Sequence, residues 1–136
     1  MDERNLYAVA EQTAAVAHAP YSGLRIGCTI EASDGRVFQG CNVENASFGL
    51  TICAERAALT HAVAMGAKRF RRMAIYSAGD RVVTPCGACR QVLSEFATDL
   101  EILLACSTGE TRRTSLKALF PEGFGPDALP GSARRT

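Results

Sequence analysis

Apolar residues return along the chain with two different periods, and each change of period marks an element. Between residues 2 and 18, Leu6, Val9, Ala10, Ala14 and Ala17 recur at helical spacing with polar residues between them, and Pro20 ends the segment. The spacing then halves. Ile26, Cys28 and Ile30 alternate with Gly27 and Thr29 and predict a strand, Ser33-Asp34-Gly35 predicts a turn, and Val37 to Asn42 a second strand, together a hairpin. Residues 43–50 read as a loop. A helix follows from about Cys53 to Met65, closed by Gly66 as the residue after its last turn. Met73 to Tyr76 is a short apolar run that predicts a buried strand, residues 78–85 a loop, and Gly87 to Phe96 a further helix. Residues 101–106 predict a strand, 107–110 a turn, 111–114 a weak edge strand and 115–119 a short helix. A Pro/Gly-rich tail, loose from about residue 121, completes the chain.

Five strands interleaved with helices in this order predict an α/β fold. It is expected to be a three-layer α-β-α sandwich around a central mixed five-stranded sheet, with residues 1–136 forming one domain. The stretches around Cys53 and Cys86 both lie where a loop enters a helix, and ligand sites of open α/β sheets collect there.

Composition narrows the partners. Fifteen basic and 14 acidic residues leave a net charge of +1, which lacks the basic footprint of a nucleic-acid binder. No apolar run approaches the roughly 18 residues of a membrane span. The charged start, Met-Asp-Glu-Arg-Asn, is unlike a secretory signal. A small-molecule partner and a cytoplasmic location are expected.

Of six cysteines, Cys28, Cys41 and Cys106 sit in apolar strand-like surroundings and read as small buried hydrophobes. Cys53, Cys86 and Cys89 have the spacing of metal ligands. One turn of chain brings Cys86 and Cys89 to a common ion, Pro85 precedes them at a helix entry, and a helix N-terminus favours thiolates. His61 lies eight residues beyond Cys53, a helical rise of about 12 Å, too far to share the ion. His18 reads as the close of the first helix, capping or solvated. With no fourth protein ligand in view, the fourth position of a zinc ion falls to water, the mark of a catalytic site. Glu55 is then the base for that water, which requires Cys53 to stand at the helix start, because residues two apart in a regular helix point to different sides. Three thiolates also call for a nearby cation, and Arg56 and Arg90 both qualify.

The string Cys53-Ala54-Glu55-Arg56 with Pro85-Cys86-Gly87-Ala88-Cys89-Arg90 resembles the zinc deaminase signature in its three-cysteine form. The resemblance extends over Pro20-Tyr21-Ser22, Asp34-Gly35, Gly40 to Ser47, Gln91, Phe120-Pro121 and Phe124-Gly125-Pro126. In that extent the chain is similar to the small, homotetrameric cytidine deaminases. The resemblance implies hydrolysis of cytidine and 2′-deoxycytidine to the uridines and ammonia, with one zinc per subunit held by Cys53, Cys86 and Cys89. It implies Glu55 as the proton carrier, paired with the ring nitrogen, and Asn42 and Glu44 on the ribose hydroxyls. It further implies backbone contact from Ala54 to the base, the Thr84 carbonyl facing the leaving amino group, Arg56 on the sulfurs, and Phe124 reaching a neighbouring subunit's site.

Two positions depart from the family pattern. Leu24 stands where a phenylalanine commonly packs on the pyrimidine, so apolar contact is kept and ring stacking lost. Phe48 stands where tyrosine is usual. Three other functions compete: a deaminase of an antibiotic nucleoside such as blasticidin S, a structural-zinc interaction module, and a thioredoxin-like CxxC protein. The first sits badly with the Asn42/Glu44 pair, the second lacks a fourth protein ligand, and the third leaves Cys53 and Glu55 unexplained.

Overall fold

The structure is a computed structural model that describes residues 1–131. Its elements in chain order are α1 (Glu3–Ala14), β1 (Ile26–Ala32), β2 (Val37–Cys41), α2 (Ala54–Ala64), β3 (Phe70–Ser77), α3 (Gly87–Ser94), β4 (Glu101–Cys106), β5 (Thr111–Ser115) and α4 (Leu116–Leu119). The five strands form one mixed sheet in the order β2-β1-β3-β4-β5. Only β3 and β4 run parallel, and α3 makes the crossover between them. The other neighbours are antiparallel, so the expected mixed five-stranded sheet is the one observed.

Helices cover both faces of the sheet. On one side α1 lays Leu6 and Ala10 against Ala74 and Leu103. On the other, Ala54, Ala58, Leu59 and Ala62 of α2 and Leu93 of α3 pack on Cys28, Ile30, Met73, Ile75, Ile102 and Leu104. β1 lies between β2 and β3 and is buried on both faces. Its even positions, Cys28 and Ile30, join the α2 side. Of its odd positions, Gly27 meets the backbone of Ala10 and Ala14, and the Thr29 hydroxyl donates to Leu6 O at 2.7 Å. Cys28 and Cys106 are buried as expected, whereas Cys41 is half-buried at the strand end.

Several boundaries differ from expectation, each for a local reason. α1 stops at Ala14 rather than reaching residue 18, because the chain turns away to pair elsewhere. His18 N donates to Asn42 O, and Glu44 N donates to His18 O. His18 therefore does not close the helix; it lies in an isolated bridge with Val43. At the other end Asp2 caps α1 by accepting from Asn5 N at 2.9 Å. β3 begins three residues earlier than the apolar run, since Arg72 pairs with Glu31 on β1 and carries the ladder through a basic stretch. α3 ends at Ser94, and residues 95–97 continue as a tightened turn onto Val92 and Leu93 carbonyls. Gly66 at φ +92° ends α2, the left-handed conformation expected of it. Within the tail, residues 126–128 form a short turn of 3₁₀ helix, and residues 132–136 lie outside the described residues.

Candidate active site

Two helix N-termini face one another at the metal motif. Cys53 is the N-cap of α2, with extended backbone at φ −76° and ψ 155°. Cys86 is the N-cap of α3, at φ −67° and ψ 168°. Neither side chain caps its own helix, so both sulfurs are left to point at each other. Cys89, buried one turn into α3, supplies the third sulfur, and all three lie within 4.8 Å of one another. The required position of Cys53 at the very start of its helix is met, and Glu55, two residues on, is buried within electrostatic reach of Cys53 and Cys89.

The donor set suits zinc. A tetrahedral ion with Zn–S bonds of about 2.3 Å holds its sulfurs about 3.8 Å apart, and the Cys53 and Cys86 sulfurs are 3.7 Å apart. The group can hold one metal ion, and among the described residues it contains three donors and no fourth. The electrostatics agree. A hydrogen bond from Cys89 holds the Cys53 thiol well below the usual thiol range, helped by Arg56 and Cys86, while the same contact pushes Cys89 up. The cluster thus gives up its first proton readily and keeps the next.

Arg56 supplies the cation. Its Nη2 donates to Cys53 Sγ at 3.5 Å, and that contact raises its own pKa. Its Nε is buried without a hydrogen-bond partner among the described residues. Arg90, the other cation considered, turns the opposite way and donates to Pro85 O, Leu119 O and Thr84 Oγ1.

Glu55 is 5% exposed, and burial is the main cause that pushes its carboxyl up to about 7. The negative charge of Cys53 adds to the rise, and Arg56 opposes it. Ala54, its neighbour, is buried against the sheet at Gly40.

Asn42 and Glu44 follow β2 and, like alternate residues of a strand, reach to the same side. Both lock the segment 21–26. Asn42 Oδ1 accepts from Ile26 N at 2.9 Å, and its Nδ2 donates to Leu24 O at 2.9 Å. The Glu44 carboxylate accepts from Tyr21 N at 2.9 Å, Ser22 N at 3.1 Å and the Ser22 hydroxyl at 2.5 Å. The Ser22 hydroxyl leads the causes that hold Glu44 below the usual carboxylate range. Ser22 also accepts from Leu24 N at 3.0 Å, so the Leu24 backbone is fixed at both its N–H and its carbonyl. Nothing local in the sequence assigns Ser22 this role. Its signal was the Tyr-Ser-Gly turn lying 22 residues from a carboxylate, which no local pattern links.

A cleft of about 260 Å³ is lined by Tyr21, Ser22, Glu44, Phe48 and Thr51. Phe124 is not part of it. Its side chain, 58% exposed, lines a separate groove with Phe120 and Pro126, and its carbonyl accepts from Gln91 Nε2 at 3.0 Å.

The family model described as "Cytidine and deoxycytidylate deaminase zinc-binding region" matches residues 1–105. The chain is 35% identical over 136 residues to a cytidine deaminase of Sporosarcina psychrophila, covering 99% of this chain and 100% of that one. It is 42% identical over 125 residues to a cytidine deaminase of Mycobacterium tuberculosis, covering 92% and 91%. The crystal structure of cytidine deaminase from Burkholderia pseudomallei superposes with a TM-score of 0.87 at 42% identity, over 91% of this chain and 100% of that one. A mixed sheet carrying three thiols at two helix starts is the architecture of a zinc-binding hydrolytic deaminase. The chain belongs to the cytidine and deoxycytidylate deaminase family. The antibiotic-nucleoside and structural-zinc alternatives are not favoured by these findings.

Proposed function

We propose that the chain hydrolyses cytidine and 2′-deoxycytidine to uridine and 2′-deoxyuridine, releasing ammonia. The observation that carries the reading is Glu55, buried and within electrostatic reach of Cys53 and Cys89 in a group of three thiols that has no fourth donor among the described residues. When bound, the zinc ion supplies the Lewis-acid chemistry that makes a water reactive at neutral pH. Cys53, Cys86 and Cys89 would hold it, and Arg56 offsets their charge.

Glu55 has the proton affinity the reaction asks of a shuttle. Burial pushes its carboxyl up toward neutrality, the range in which a side chain can take a proton from a metal-activated water and hand it on. It accepts the proton of the attacking water as the oxygen bonds to C4 and delivers it to N3. It then takes the proton of the new C4 hydroxyl and gives it to the amino nitrogen, so that the C4 carbonyl forms as the C4–N bond breaks and ammonia departs. The Thr84 carbonyl accepts from that amino group, and the Ala54 backbone and Leu24 side chain bound the base. Asn42 and Glu44 take the ribose hydroxyls. Each has capacity left for this: Asn42 keeps an amide hydrogen and a lone pair, and Glu44 Oε2 accepts only from Ser22.

A homotetramer with sites completed across subunits belongs to the same proposal. Tyr21, Phe48, Leu50 and Ile52 are all exposed apolar residues near one cleft, an arrangement that marks contact surfaces. The reduced thiols suit action in the cytoplasm. The deciding experiment follows the ultraviolet absorbance of cytidine incubated with zinc-loaded protein. Conversion to the uridine spectrum is expected, and an unchanged spectrum at micromolar enzyme overturns the proposal.

A further inference from the structure

Arg90 directly follows the ligand Cys89, yet its guanidinium leaves the sulfurs and joins two segments far apart in sequence. Each of its three nitrogens donates once. Nε reaches Pro85 O at 2.7 Å, Nη1 reaches Leu119 O at 2.7 Å, and Nη2 reaches Thr84 Oγ1 at 3.0 Å. Pro85 is buried, and Leu119 packs against the main core at the last residue of α4. All three acceptors are uncharged, so Coulomb attraction to a counter-ion does not explain why a cation stands here. What the site uses is the shape of the group: a rigid planar fork whose donors diverge to three fixed oxygens, which no lysine can imitate. Gln91, the next residue, adds a second bond to the same C-terminal segment through Phe124 O at 3.0 Å.

We propose that Arg90 is a positioning residue that clasps the 84–86 loop to the C-terminal segment at Leu119, so that the placement of the Cys86 sulfur and of the tail depend on each other. The logic is that of an outer shell around a metal site. Cys86 is exposed and sits on a loop, and a loop sulfur keeps its place only if its backbone is held. Pro85 cannot donate a backbone hydrogen bond of its own, which leaves its carbonyl as the handle for fixing that peptide. Arg90 takes this handle and ties it to α4, an element that packs on the core. Coupling of this kind is reciprocal: what orders the loop orders the tail, and the converse holds by linkage.

The proposal rests on Cys86 being a metal ligand, and its test needs no substrate. Zinc-loaded full-length protein and its Arg90→Lys and Arg90→Met variants are given a chromogenic zinc chelator, and the rate of transfer is followed. Both variants are expected to release zinc about 10–100-fold faster than the parent. A lysine that restores the parent rate would show that charge rather than the fork acts, and would overturn the proposal. So would parent rates in both variants. Thr84→Val, close to isosteric, removes one acceptor only and decides the matter if the Arg90 variants do not fold: faster release supports the clasp, unchanged release sinks it. As a second readout, hydrogen exchange across residues 116–128 is expected to quicken on zinc removal in the parent and to be insensitive to zinc in Arg90→Met. Exchange there that ignores zinc in the parent also overturns the coupling. Absence of cytidine turnover in the parent would instead strike the proposed function, leaving the zinc-release comparison standing.

Discussion

Gly40 lies directly beneath the first turn of α2: a Cβ built on it would stand 2.8 Å from Ala54 O and 2.3 Å from Ala58 N. Real Cβ atoms do not come this close to backbone, so α2 can seat at this depth only over a glycine. Ala54 is flanked by Cys53 and Glu55, which makes the glycine part of how the site is placed. Gly27 provides the same saddle for α1 on the opposite face, where a Cβ would meet Ala10 O at 1.9 Å. Gly40→Ala and Gly27→Ala are each expected to cost about 1–3 kcal/mol of stability through overpacking. They should differ in function. Gly40→Ala displaces the helix start that carries Cys53 and Glu55, and kcat falls in the folded fraction. Gly27→Ala leaves kcat near the parent value. Urea unfolding with activity normalised to zinc content separates the two.

Glu55→Gln should keep one zinc per chain and lose turnover by about 10²–10⁴-fold, the range of general acid–base contributions. The amide fills the same buried space without a proton to trade. Mixing provides a test of site sharing. If Phe124 completes a neighbour's site, Phe124→Ala chains are impaired too, yet subunits exchanged with Glu55→Gln chains combine an intact Glu55 with an intact Phe124. Activity of the mixed assembly is then expected to exceed the average of the two separate variants. Metal analysis and the cytidine absorbance assay check both expectations.

A buried ion pair far from the site sets an acid limit on the fold. Glu31 on β1 is 1% exposed and accepts from Arg72 Nε at 2.7 Å, with the Met1 ammonium 3.3 Å away. The Arg72 hydrogen bond holds the Glu31 carboxyl below its ordinary value of 4.5. In the acid range the unfolded chain therefore binds more protons than the native one, and stability drops as pH falls through 4.5 and below. Glu31→Gln should flatten this acid limb. Arg72→Met removes the main partner of a buried carboxylate, leaving it the Met1 ammonium alone, and should cost about 3–5 kcal/mol near pH 7. Urea midpoints between pH 3 and 8 for the three proteins read out both effects.

What the sequence conveyed and what it hid divide along a physical line. The alternation in residues 26–30, the capping geometry at Cys53 and the glycine at 66 are local, and local chemistry settles them. The three sulfurs could be paired in advance because zinc chemistry restricts which cysteines can converge. Arg71 and Arg72 masked the start of β3, since basic residues carry no strand signature until Glu31 stands opposite. Arg90 could be placed on sulfur or surface from its neighbours alone; its actual acceptors include Leu119, 29 residues away, which no spacing rule anticipates. The contacts of Ser22 with Glu44 were hidden for the same reason.

Leu24 offers the sharpest test of how the base is held. Ser22 and Asn42 fix its N–H and carbonyl, so a substitution there changes the side chain and not the course of the backbone. The Leu24 Cδ1 atom lies toward Gly79, where even a Cβ on that glycine would approach it to 3.1 Å. Gly79 thus bounds the Leu24 side chain closely on that side. Leu24→Phe should place a ring where the leucine now offers only apolar contact. An aromatic pair adds roughly 0.5–1.5 kcal/mol beyond area burial, and KM for cytidine is expected to fall about 2–10-fold. Because stacking holds substrate and transition state alike, kcat should stay near the parent value. Adding Gly79→Ala to this variant crowds position 24 from the other side and should return KM toward the parent. Steady-state kinetics of the parent, the single and the double variant decide it, and an unchanged KM in Leu24→Phe would remove Leu24 from the base-facing wall.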